Sequence, residues 1–487
     1  MNTPLRRMSR IIALLFAALL VSSTIIQFVQ APTLDARADN RRTLLDNYSR
    51  ERGAIIVGDT PIARSTPTPD EEIRYLRTYP QAQLYSQVTG YFSYTYGAGG
   101  GLEGSDDDLL SGSADQLFYR RVTDLLTGRQ ASGASLRLTI NPKAQAAADK
   151  ALGDQRGAVV ALDPTTGAIL AMVSHPQYDP NLLALHDQKK VTQAWKALTS
   201  EASNQPIINR AIAGNLYPPG SVFKIVTAAA ALDDKVVDQS TQIPAPARLD
   251  LPQTSVTLPN YDLAPCGPGA RTTLQHALEI SCNTAMGYLG LQLGADRLGE
   301  AAAKFGFGET LRIPTRVEPS VFPSGIDQAA TARSAIGQDS VRVTPLQVAM
   351  ISAAVADKGV VMRPYLVQDV LGSDLQTIDQ AQPQQLSVAM TPQTAAILTT
   401  MLTSVVDSGT GRPAAIPGVK VAGKTGTAEQ GNGKPPHAWF TSFAPADNPQ
   451  VAVAVVVEDG GNAGNEAAGG RNAGPVAKAV MEAVLNR

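Results

Sequence analysis

The sequence contains few of the residues from which metal centres are usually built. It has two cysteines and four histidines among 487 residues, and they are not grouped at the spacing of a metal site. It also lacks an excess of either charge, because 41 basic residues stand against 43 acidic ones and the formal net charge is −2. Nucleic-acid-binding proteins present a clustered basic face, so this composition gives no electrostatic case for a nucleic acid partner.

Long apolar runs are rare as well, and only Ile11–Val29 approaches the length of a membrane span. Its nineteen residues would reach roughly 28 Å as a helix, close to the thickness of the hydrocarbon core. Arg6, Arg7 and Arg10 precede the run, which favours a cytoplasmic N-terminus and an extracytoplasmic remainder. A cleaved signal peptide is the alternative, but its apolar region would be shorter, roughly 7–15 residues, and the charged stretch Asp35–Ala38 is a poor cleavage site. We predict an uncleaved, single-pass anchor in the cell membrane.

The two cysteines fit an extracytoplasmic location. An oxidising compartment permits a disulfide between Cys266 and Cys282. It would close a loop of about 16 residues and stabilise the fold by roughly 3 kcal/mol in a chain-entropy estimate. Two free, buried thiols remain the alternative at this point.

Length and composition indicate more than one folded unit. The chain is long enough for two or three domains, and a hydrophobic content of 44% allows a large core. We assign residues 1–30 to a cytoplasmic tip and anchor, 31–150 to a small, non-catalytic N-terminal domain of mixed structure, and 151–487 to a large domain. Near the boundary, Asn141 and Pro142 supply the cap and first residue of a helix that ends near Gly153.

The large domain has strand patterns at both ends and helical patterns between them. Ala158–Asp163 and Ala168–Ser174 flank a turn and predict a β-hairpin. Three more strands and a closing helix are predicted near the C-terminus: Gly418–Gly423, Trp439–Ala444, Val451–Glu458 and Pro475–Leu485. The helical patterns between the two sets are Phe223–Leu232, Thr273–Ile280, Thr284–Leu293 and Pro345–Ala356. These patterns predict an α+β fold, in which an antiparallel sheet of five strands, flanked by helices, adjoins an all-helical lobe.

The sequence also offers a candidate nucleophile with a base beside it. No Gly-x-Ser-x-Gly motif occurs, so a Ser-His-Asp arrangement has little support. Pro218 and Pro219 stop any preceding helix, and Gly220 permits a turn before a new helix begins. Ser221 and Lys224 then share one helix face, at a helix start whose free N–H groups favour developing negative charge. The lysine can act as a base only if burial or a second cation lowers its pKa from about 10.4 toward neutrality.

A Ser-x-x-Lys pattern alone is weak evidence, because a chain of this length contains about one by chance. Two further motifs follow it in the same domain. Ser281–Asn283 combines a hydroxyl and a carboxamide, which can pass a proton and hold a peptide group. Lys424–Thr427 follows a predicted strand whose backbone can pair with an extended peptide, and Gly426 leaves room for close approach. Lys424 and Thr425 are suited to bind a carboxylate.

Together, these motifs match the three signatures of penicillin-interacting serine enzymes. The sequence resembles the class B penicillin-binding proteins, which are monofunctional transpeptidases, over roughly residues 135–487. The likeness extends to stretches that flank the family's site: Gly157–Val173, Asn209–Ala211, Tyr217–Lys224 and Ser334–Gln338. Arg52-Gly53 resembles the start of a class B N-terminal domain. Within the family, the chain is most similar to short actinobacterial members linked to septum formation.

The resemblance implies how the acyl group would be transferred. Ser221 attacks the penultimate D-alanine carbonyl of a peptidoglycan stem peptide, and Lys224 takes the serine proton. Ser281 and Asn283 assist the proton transfer and align the substrate. D-Alanine leaves, and an amine of a second stem peptide takes the acyl group. β-Lactams would acylate the same serine, and neither a cofactor nor a metal is implied.

The resemblance also implies how the substrate would be held. Lys424 and Thr425 bind the terminal carboxylate, on a strand in which Gly426 allows the peptide to approach. The backbone N–H groups of Ser221 and Thr427 form the oxyanion hole. The expected partners are the stem peptides, the membrane, and proteins of cell division or wall synthesis.

Three alternatives remain at this stage. A D,D-carboxypeptidase or β-lactamase would share all three motifs and use water in place of the amine, although the anchor and extra domain favour a transpeptidase. A β-lactam sensor or division scaffold would bind without turnover, but only about ten residues precede the predicted span, too few for cytoplasmic signalling. A dual transglycosylase-transpeptidase would need a much larger N-terminal region.

Overall fold

A computed structural model describes residues 3–30, 33–34, 48–71, 73–118, 126–128, 132–214, 216–431, 433–466 and 468–486. Its strands are β1 (Ile55–Val57), β2 (Thr60–Pro67), β3 (Tyr75–Thr78), β4 (Tyr91–Ser93), β5 (Gly97–Gly99), β6 (Ser135–Leu138), β7 (Gly157–Leu162), β8 (Ile169–His175), β9 (Ile243–Pro244), β10 (Arg248–Asp250), β11 (Thr257–Pro259), β12 (Arg271–Thr272), β13 (Val360–Met362), β14 (Val367–Leu371), β15 (Thr377–Gln380), β16 (Gln385–Val388), β17 (Ala422–Ala428), β18 (His437–Ala444) and β19 (Val451–Val457). Its α-helices are α1 (Thr3–Thr24), α2 (Ala82–Thr89), α3 (Gly101–Ser105), α4 (Asp107–Ser111), α5 (Pro142–Leu152), α6 (Asn181–Ala184), α7 (Gln188–Thr199), α8 (Lys224–Asp233), α9 (Leu274–Glu279), α10 (Asn283–Lys304), α11 (Gln328–Ser334), α12 (Pro345–Ala356), α13 (Pro392–Asp407), α14 (Gly469–Asn472) and α15 (Gly474–Val484).

The N-terminal helix contains the predicted membrane span. α1 continues through a π-helical turn at Ile25–Val29, and no residue of either segment is buried. Large apolar side chains such as Leu14 and Phe16 are exposed along it, and an apolar surface of this size requires a covering environment. In the described part of the chain this is the one helix long and apolar enough to cross a membrane. The stretch Asp35–Ala38, weighed as a cleavage site, lies outside the described residues.

The large domain is built on the predicted five-stranded sheet. Its strand order is β17-β18-β19-β7-β8, and every neighbouring pair is antiparallel, which confirms the five-stranded antiparallel arrangement. The prediction placed a strand at Gly418–Gly423, ahead of the Lys-Thr-Gly motif, whereas β17 begins at Ala422 and carries the motif in its interior. The apolar pattern in the sequence ends at Gly423. The strand nevertheless extends to Ala428, because β18 begins at His437 and His437 pairs with Ala428.

Helices cover both faces of this sheet. Alternate residues of β19 belong to two separate hydrophobic clusters, which is why its sequence is apolar at every position. α5 and α15 pack together over one face, and α12 packs over the other. The predicted start of α5 is confirmed, since the Asn141 side chain accepts hydrogen bonds from the N–H groups of Lys143 and Ala144.

The helical lobe between the strand sets is formed mainly by α8, α9, α10, α11 and α13. α12 was predicted at its observed bounds, and α10, which spans Asn283–Lys304, is interrupted by a kink at Gly294, directly after the predicted helix end at Leu293. Gly294 adopts φ 80° and ψ 165°, a non-helical conformation, so the first helical segment ends where the sequence predicted and a second segment continues to Lys304.

The N-terminal part of the molecule has a second sheet, with strand order β15-β14-β6-β1-β2-β3. β14 and β15 lie at Val367–Leu371 and Thr377–Gln380, so this sheet draws strands from both sides of residue 150, the boundary that the sequence predicted. α5, which crosses that boundary, packs on the sheet of the large domain.

Candidate active site

Ser221 lies in a tight turn at the start of α8. Residues Gly220–Phe223 form a single 3-10 turn that leads into the helix at Lys224, close to the helix start predicted from the sequence. Gly220 has φ 55°, and its N–H donates to the carbonyl of Gly337 at 2.9 Å. A side chain at Gly220 would bring its Cβ within 2.7 Å of the Thr427 carbonyl oxygen, so β17 and the serine turn are in close contact. The side chain of Ser221 lines a cleft of about 1860 Å³.

Beneath the cleft lie two fully buried lysines that share one hydroxyl. Lys224 Nζ donates to the Ser281 carbonyl oxygen and to Asn283 Oδ1, both at 2.7 Å, and lies 3.3 Å from Ser281 Oγ. Lys424 Nζ lies 2.9 Å from the same Ser281 Oγ and donates to the carbonyl oxygen of Thr425 at 3.0 Å. Both lysine side chains are 0% exposed. One residue from each of the three sequence motifs therefore meets at Ser281 Oγ.

Burial changes the acid–base behaviour of both lysines. It lowers the pKa of Lys224 well below its usual range, and the neighbouring Lys424 charge lowers that pKa further. Burial also lowers the pKa of Lys424 to about 7. The sequence argument required a lysine that is neutral near physiological pH, and this surrounding supplies the physical cause.

Lys224 is oriented toward the second motif rather than toward the serine three residues before it. Its ammonium nitrogen has three oxygen partners, all in Ser281–Asn283. No hydrogen bond joins Ser221 Oγ to Lys224 Nζ among the described residues. Ser221 is half-buried at the floor of the cleft and open to an incoming group.

The Ser-x-Asn motif lies in the connection between α9 and α10. Ser281 adopts φ 61°, a left-handed conformation that costs free energy for a residue with a side chain and often marks a functional position. Asn283 is the first residue of α10, and its Nδ2 donates to the carbonyl of Pro259 at 3.0 Å. Cys282, between them, is bonded to Cys266 in a disulfide.

The Lys-Thr-Gly motif lies on the edge strand of the large sheet. Within the described part of the chain, β17 pairs with β18 on one side only, and its other edge faces the cleft, as peptide recognition by strand addition requires. Thr425 and Thr427 line the cleft, and Thr425 Oγ1 lies 2.8 Å from Thr410 Oγ1. Gly426 must lack a side chain, because a Cβ there would lie 2.9 Å from Trp439 Cβ and 3.1 Å from the Pro219 carbonyl.

A buried carboxylate beside the cleft was missed by the sequence analysis. Glu458 accepts hydrogen bonds from Tyr217 Oη at 2.6 Å, Arg210 Nε at 2.8 Å and Arg156 Nε at 2.9 Å. Burial alone would raise its pKa, but the Tyr217 hydrogen bond and the two arginines hold the pKa of Glu458 below its usual range. Arg210 and Tyr217 stood within noted stretches, whereas Glu458 follows an ordinary apolar strand and carries no local signal.

Comparisons with known proteins agree with this geometry. A sequence model of the penicillin binding protein transpeptidase domain matches residues 157–482, and a model of the penicillin binding protein A dimerisation domain matches residues 52–136. Peptidoglycan D,D-transpeptidase PbpA of Mycolicibacterium smegmatis is 46% identical over 494 residues, which cover 100% of this chain and 99% of that protein. The Mycobacterium tuberculosis protein of the same name is 43% identical with the same coverage. The solved structure of penicillin-binding protein A from M. tuberculosis, as a ceftriaxone acyl-enzyme complex, matches with a TM-score of 0.87 at 43% identity, over 91% of this chain and 100% of that one.

The match to the transpeptidase domain includes all three motifs of the site. The turn that carries Ser221, the connection that carries Ser281 and the strand that carries Lys424 all lie within residues 157–482. The chain therefore belongs to the penicillin-binding protein transpeptidases, in the class B group that includes penicillin-binding protein A.

Proposed function

We propose that this protein is a membrane-anchored serine D,D-transpeptidase that cross-links peptidoglycan stem peptides through an acyl-enzyme on Ser221. The observation that carries the proposal is the pair of buried lysines on either side of Ser281 Oγ, directly beneath the cleft that Ser221 lines. The names of its relatives, which are peptidoglycan D,D-transpeptidases, support the substrate class. The β-lactam acyl-enzyme structures of the M. tuberculosis protein support covalent inhibition at the same site.

In the first half-reaction, Ser221 Oγ attacks the penultimate D-alanine carbonyl carbon and its proton passes to neutral Lys224. The serine–carbon bond forms, the peptide C–N bond breaks, and the departing D-alanine amine takes up a proton from the site. Ser281 Oγ lies between the two lysine nitrogens and can relay that proton. Asn283 Oδ1 holds Lys224 in place by accepting one of its hydrogens.

Lys424 and Thr425 bind the terminal carboxylate of the donor peptide, whose backbone pairs with the free edge of β17 beside Gly426. The backbone N–H groups of Ser221 and Thr427 stabilise the tetrahedral oxyanion, a contribution that is often the largest in acyl transfer. In the second half-reaction, the acceptor amine attacks the ester carbonyl carbon and gives up a proton to the lysine–serine relay. The new amide bond forms, the ester C–O bond breaks, and Ser221 Oγ takes a proton back from the relay.

The protein acts outside the cytoplasm, held by α1 in the cell membrane with its N-terminus inside. The exposed apolar surface of α1 and the arginines at its start support this orientation. We assign the activity to septal wall synthesis together with cell-division proteins, as the similarity to the short actinobacterial members suggests.

The test uses the full chain in detergent with a donor peptide ending in D-alanyl-D-alanine and an acceptor amine. We expect a cross-linked product, and covalent labelling by fluorescent penicillin that Ser221→Ala abolishes. Ser200→Ala, an exposed serine outside the cleft, is the matched control and should label normally. If the peptide assay yields only D-alanine and the free acid, the protein is a carboxypeptidase. If fluorescent penicillin still labels Ser221→Ala, Ser221 is not the nucleophile.

A further inference from the structure

The helix that begins with Asn283 lacks an oxygen-bearing cap of its own. The first N–H groups of a helix have no partner inside it, and Ser, Thr, Asp or Asn usually supplies one from the N-cap position. In α10 that position is occupied by Cys282, whose sulfur is bonded to Cys266. The sulfur lies 3.5 Å from the N–H nitrogen of Ala285, and sulfur is a weak acceptor. The helix start at the centre of the site therefore needs an acceptor from elsewhere.

Asn260 supplies that acceptor from the loop after β11. Its Oδ1 accepts hydrogen bonds from the N–H groups of Asn283 and Thr284, each at 3.0 Å. Its Nδ2 donates to the carbonyls of Pro246 at 3.0 Å and Ala264 at 2.8 Å. Asn260 is only 4% exposed. The amide can take one orientation only, because a flipped amide would place hydrogens against two donors and oxygen against two carbonyls.

The same loop also fixes the side chain of Asn283. The carbonyl of Pro259, next to Asn260, accepts from Asn283 Nδ2 at 3.0 Å. This contact leaves Asn283 Oδ1 facing Lys224 Nζ at 2.7 Å. Pro259 and Asn260 thus hold both the main chain and the side chain of the residue that orients Lys224.

We propose that Asn260 is a positioning residue for the acylation site: it caps α10 from outside and thereby sets the geometry of Ser281, Asn283 and Lys224. The proposal rests on the proposed function, since it assigns Asn260 a part in acylation of Ser221. Asn260 lines the cleft but acts through Asn283 and Thr284, whose N–H groups it binds.

The first experiment compares Asn260→Ala and Asn260→Asp in the full-length protein in detergent. Alanine removes all four contacts, and we expect the penicillin acylation rate constant to fall about 10- to 100-fold, as is typical when catalytic groups are misplaced. Aspartate keeps the acceptor that α10 needs and loses the donated contacts to Pro246 and Ala264. It should lower the thermal midpoint. At a pH above the acid limb, where the added negative charge does not keep Lys224 protonated, it should acylate within about threefold of the wild type, since only the misplacement slows the reaction there. The proposal would be overturned if Asn260→Ala were acylated as fast as the wild type. It would also be overturned if the acylation rate constant fell equally in both variants.

The pH profile separates positioning from general destabilisation. Asn283 Oδ1 favours the charged form of Lys224, so loosening Asn283 should move the acid limb of the acylation profile to lower pH in Asn260→Ala. Asn181→Ala is the matched control, because Asn181 makes a similar clamp, to the N–H and carbonyl of Tyr79, outside the cleft. It should lower stability and leave the acid limb unchanged. If the acid limb of the acylation profile lies at the same pH in Asn260→Ala as in the wild type, the inference is contradicted.

A measurement on the wild type does not depend on the variants folding. N–H groups in the first turn of a helix have no intrahelical partner and exchange quickly unless they are capped. We expect the N–H groups of Asn283 and Thr284 to be protected from hydrogen exchange, and rapid exchange at both would overturn the role of Asn260. If the wild type is not labelled at Ser221, the proposed function fails instead, whatever the exchange result.

Discussion

Replacing Glu458 by glutamine keeps the shape of a side chain at the edge of the cleft and removes its charge. The carboxylate has three donors, the hydroxyl of Tyr217 and the guanidinium groups of Arg210 and Arg156. Glu458 and Arg210 have side chains only 7% exposed, whereas the Arg156 side chain is 40% exposed. The substitution Glu458→Gln therefore leaves one buried arginine without its counter-charge and one arginine in contact with water.

The loss of stability follows from that difference in exposure. A buried charge whose partner is removed costs about 3–5 kcal/mol, and Arg210 falls in this class. An exposed ion pair contributes at most about 1 kcal/mol, so the solvated Arg156 adds little. We expect the free energy of unfolding to fall by about 3–5 kcal/mol in Glu458→Gln.

The loss of activity follows from what Tyr217 holds. Its N–H and carbonyl pair with Val343, and its ring packs edge-on against Trp439 at 5.9 Å between centroids. Trp439 in turn donates from Nε1 to the carbonyl of Pro218 at 3.1 Å, three residues before Ser221. A displacement of about 1 Å at the reacting atoms can reduce a rate by about 10²-fold. We expect penicillin acylation to slow about 10- to 100-fold in the folded fraction.

The molecule contains a matched control for this substitution. Glu103, in the N-terminal part, is also buried between two arginines and a tyrosine: it accepts from Arg52 Nε at 2.6 Å, Arg77 Nε at 2.7 Å and Tyr79 Oη at 3.1 Å. Glu103→Gln leaves the buried Arg77 without its counter-charge, while Arg52 keeps its ion pair with Asp107 at 2.6 Å. Like Glu458→Gln, it therefore strands one buried arginine, and it does so away from the cleft. It should lower stability by a similar amount and leave the acylation rate within about threefold of the wild type, because the reacting atoms stay in place.

Thermal unfolding and stopped-flow penicillin labelling of the full chain in detergent measure the two effects separately. Tyr217→Phe provides a milder test, because it removes one hydrogen bond to a charged group, worth about 1.5–3 kcal/mol. It should slow acylation in the same direction as Glu458→Gln. The reasoning is refuted if the folded variants Glu458→Gln and Tyr217→Phe both acylate at the wild-type rate, or if Glu103→Gln slows acylation as much.

Two further predictions concern the Lys-Thr-Gly strand. Burial lowers the pKa of Lys424 to about 7, so between this pH and about 10.4 an unfolded lysine keeps a proton that folded Lys424 has released. Stability should therefore rise with pH across that window, by up to about 1.4 kcal/mol per unit from Lys424. The rise should be shallower in Lys424→Met, in which Lys224, whose pKa is also lowered by burial, still contributes. A rise of equal slope in both proteins would show that Lys424 is not one of its sources. Gly426→Ala places a Cβ 2.9 Å from Trp439 Cβ and 3.0 Å from Val222 Cγ1, so overpacking should destabilise the protein by about 1–3 kcal/mol in thermal unfolding and slow acylation. An unchanged thermal midpoint for Gly426→Ala would contradict the close packing of β17 on the serine turn.

The sequence predicts correctly those structural features that depend on residues close together in the chain. The cap at Asn141, the bounds of α12 and the apolar pattern of β19 are all local, and each agrees with the structure. The extent of β17 depends on its ladder with β18, so the strand was predicted to end before Lys424. The three motifs of the candidate site could be found because each is a compact pattern of chemically distinctive residues.

The supporting residues could not be found in this way, because their roles arise from contacts between distant parts of the chain. Glu458 binds Arg210, which lies 248 positions earlier. Asn260 binds the start of a helix 23 positions later, and its own surroundings look like an ordinary polar loop. Positions of this kind have no period, spacing or motif, and they become visible only when the side chains are placed in space.

The shared hydroxyl of Ser281 makes the two lysines one titrating unit rather than two independent groups. Their nitrogens lie 3.3 and 2.9 Å from the same oxygen, so a proton on one disfavours a proton on the other. Burial and the Lys424 charge lower the pKa of Lys224 well below its usual range, while burial lowers that of Lys424 to about 7. If Lys224 loses its proton first, the repulsion on Lys424 is relieved and its charge is retained. That order gives the neutral base and the charged carboxylate binder that the proposed reaction needs, and a bound substrate carboxylate would reinforce it by favouring the charged form of Lys424.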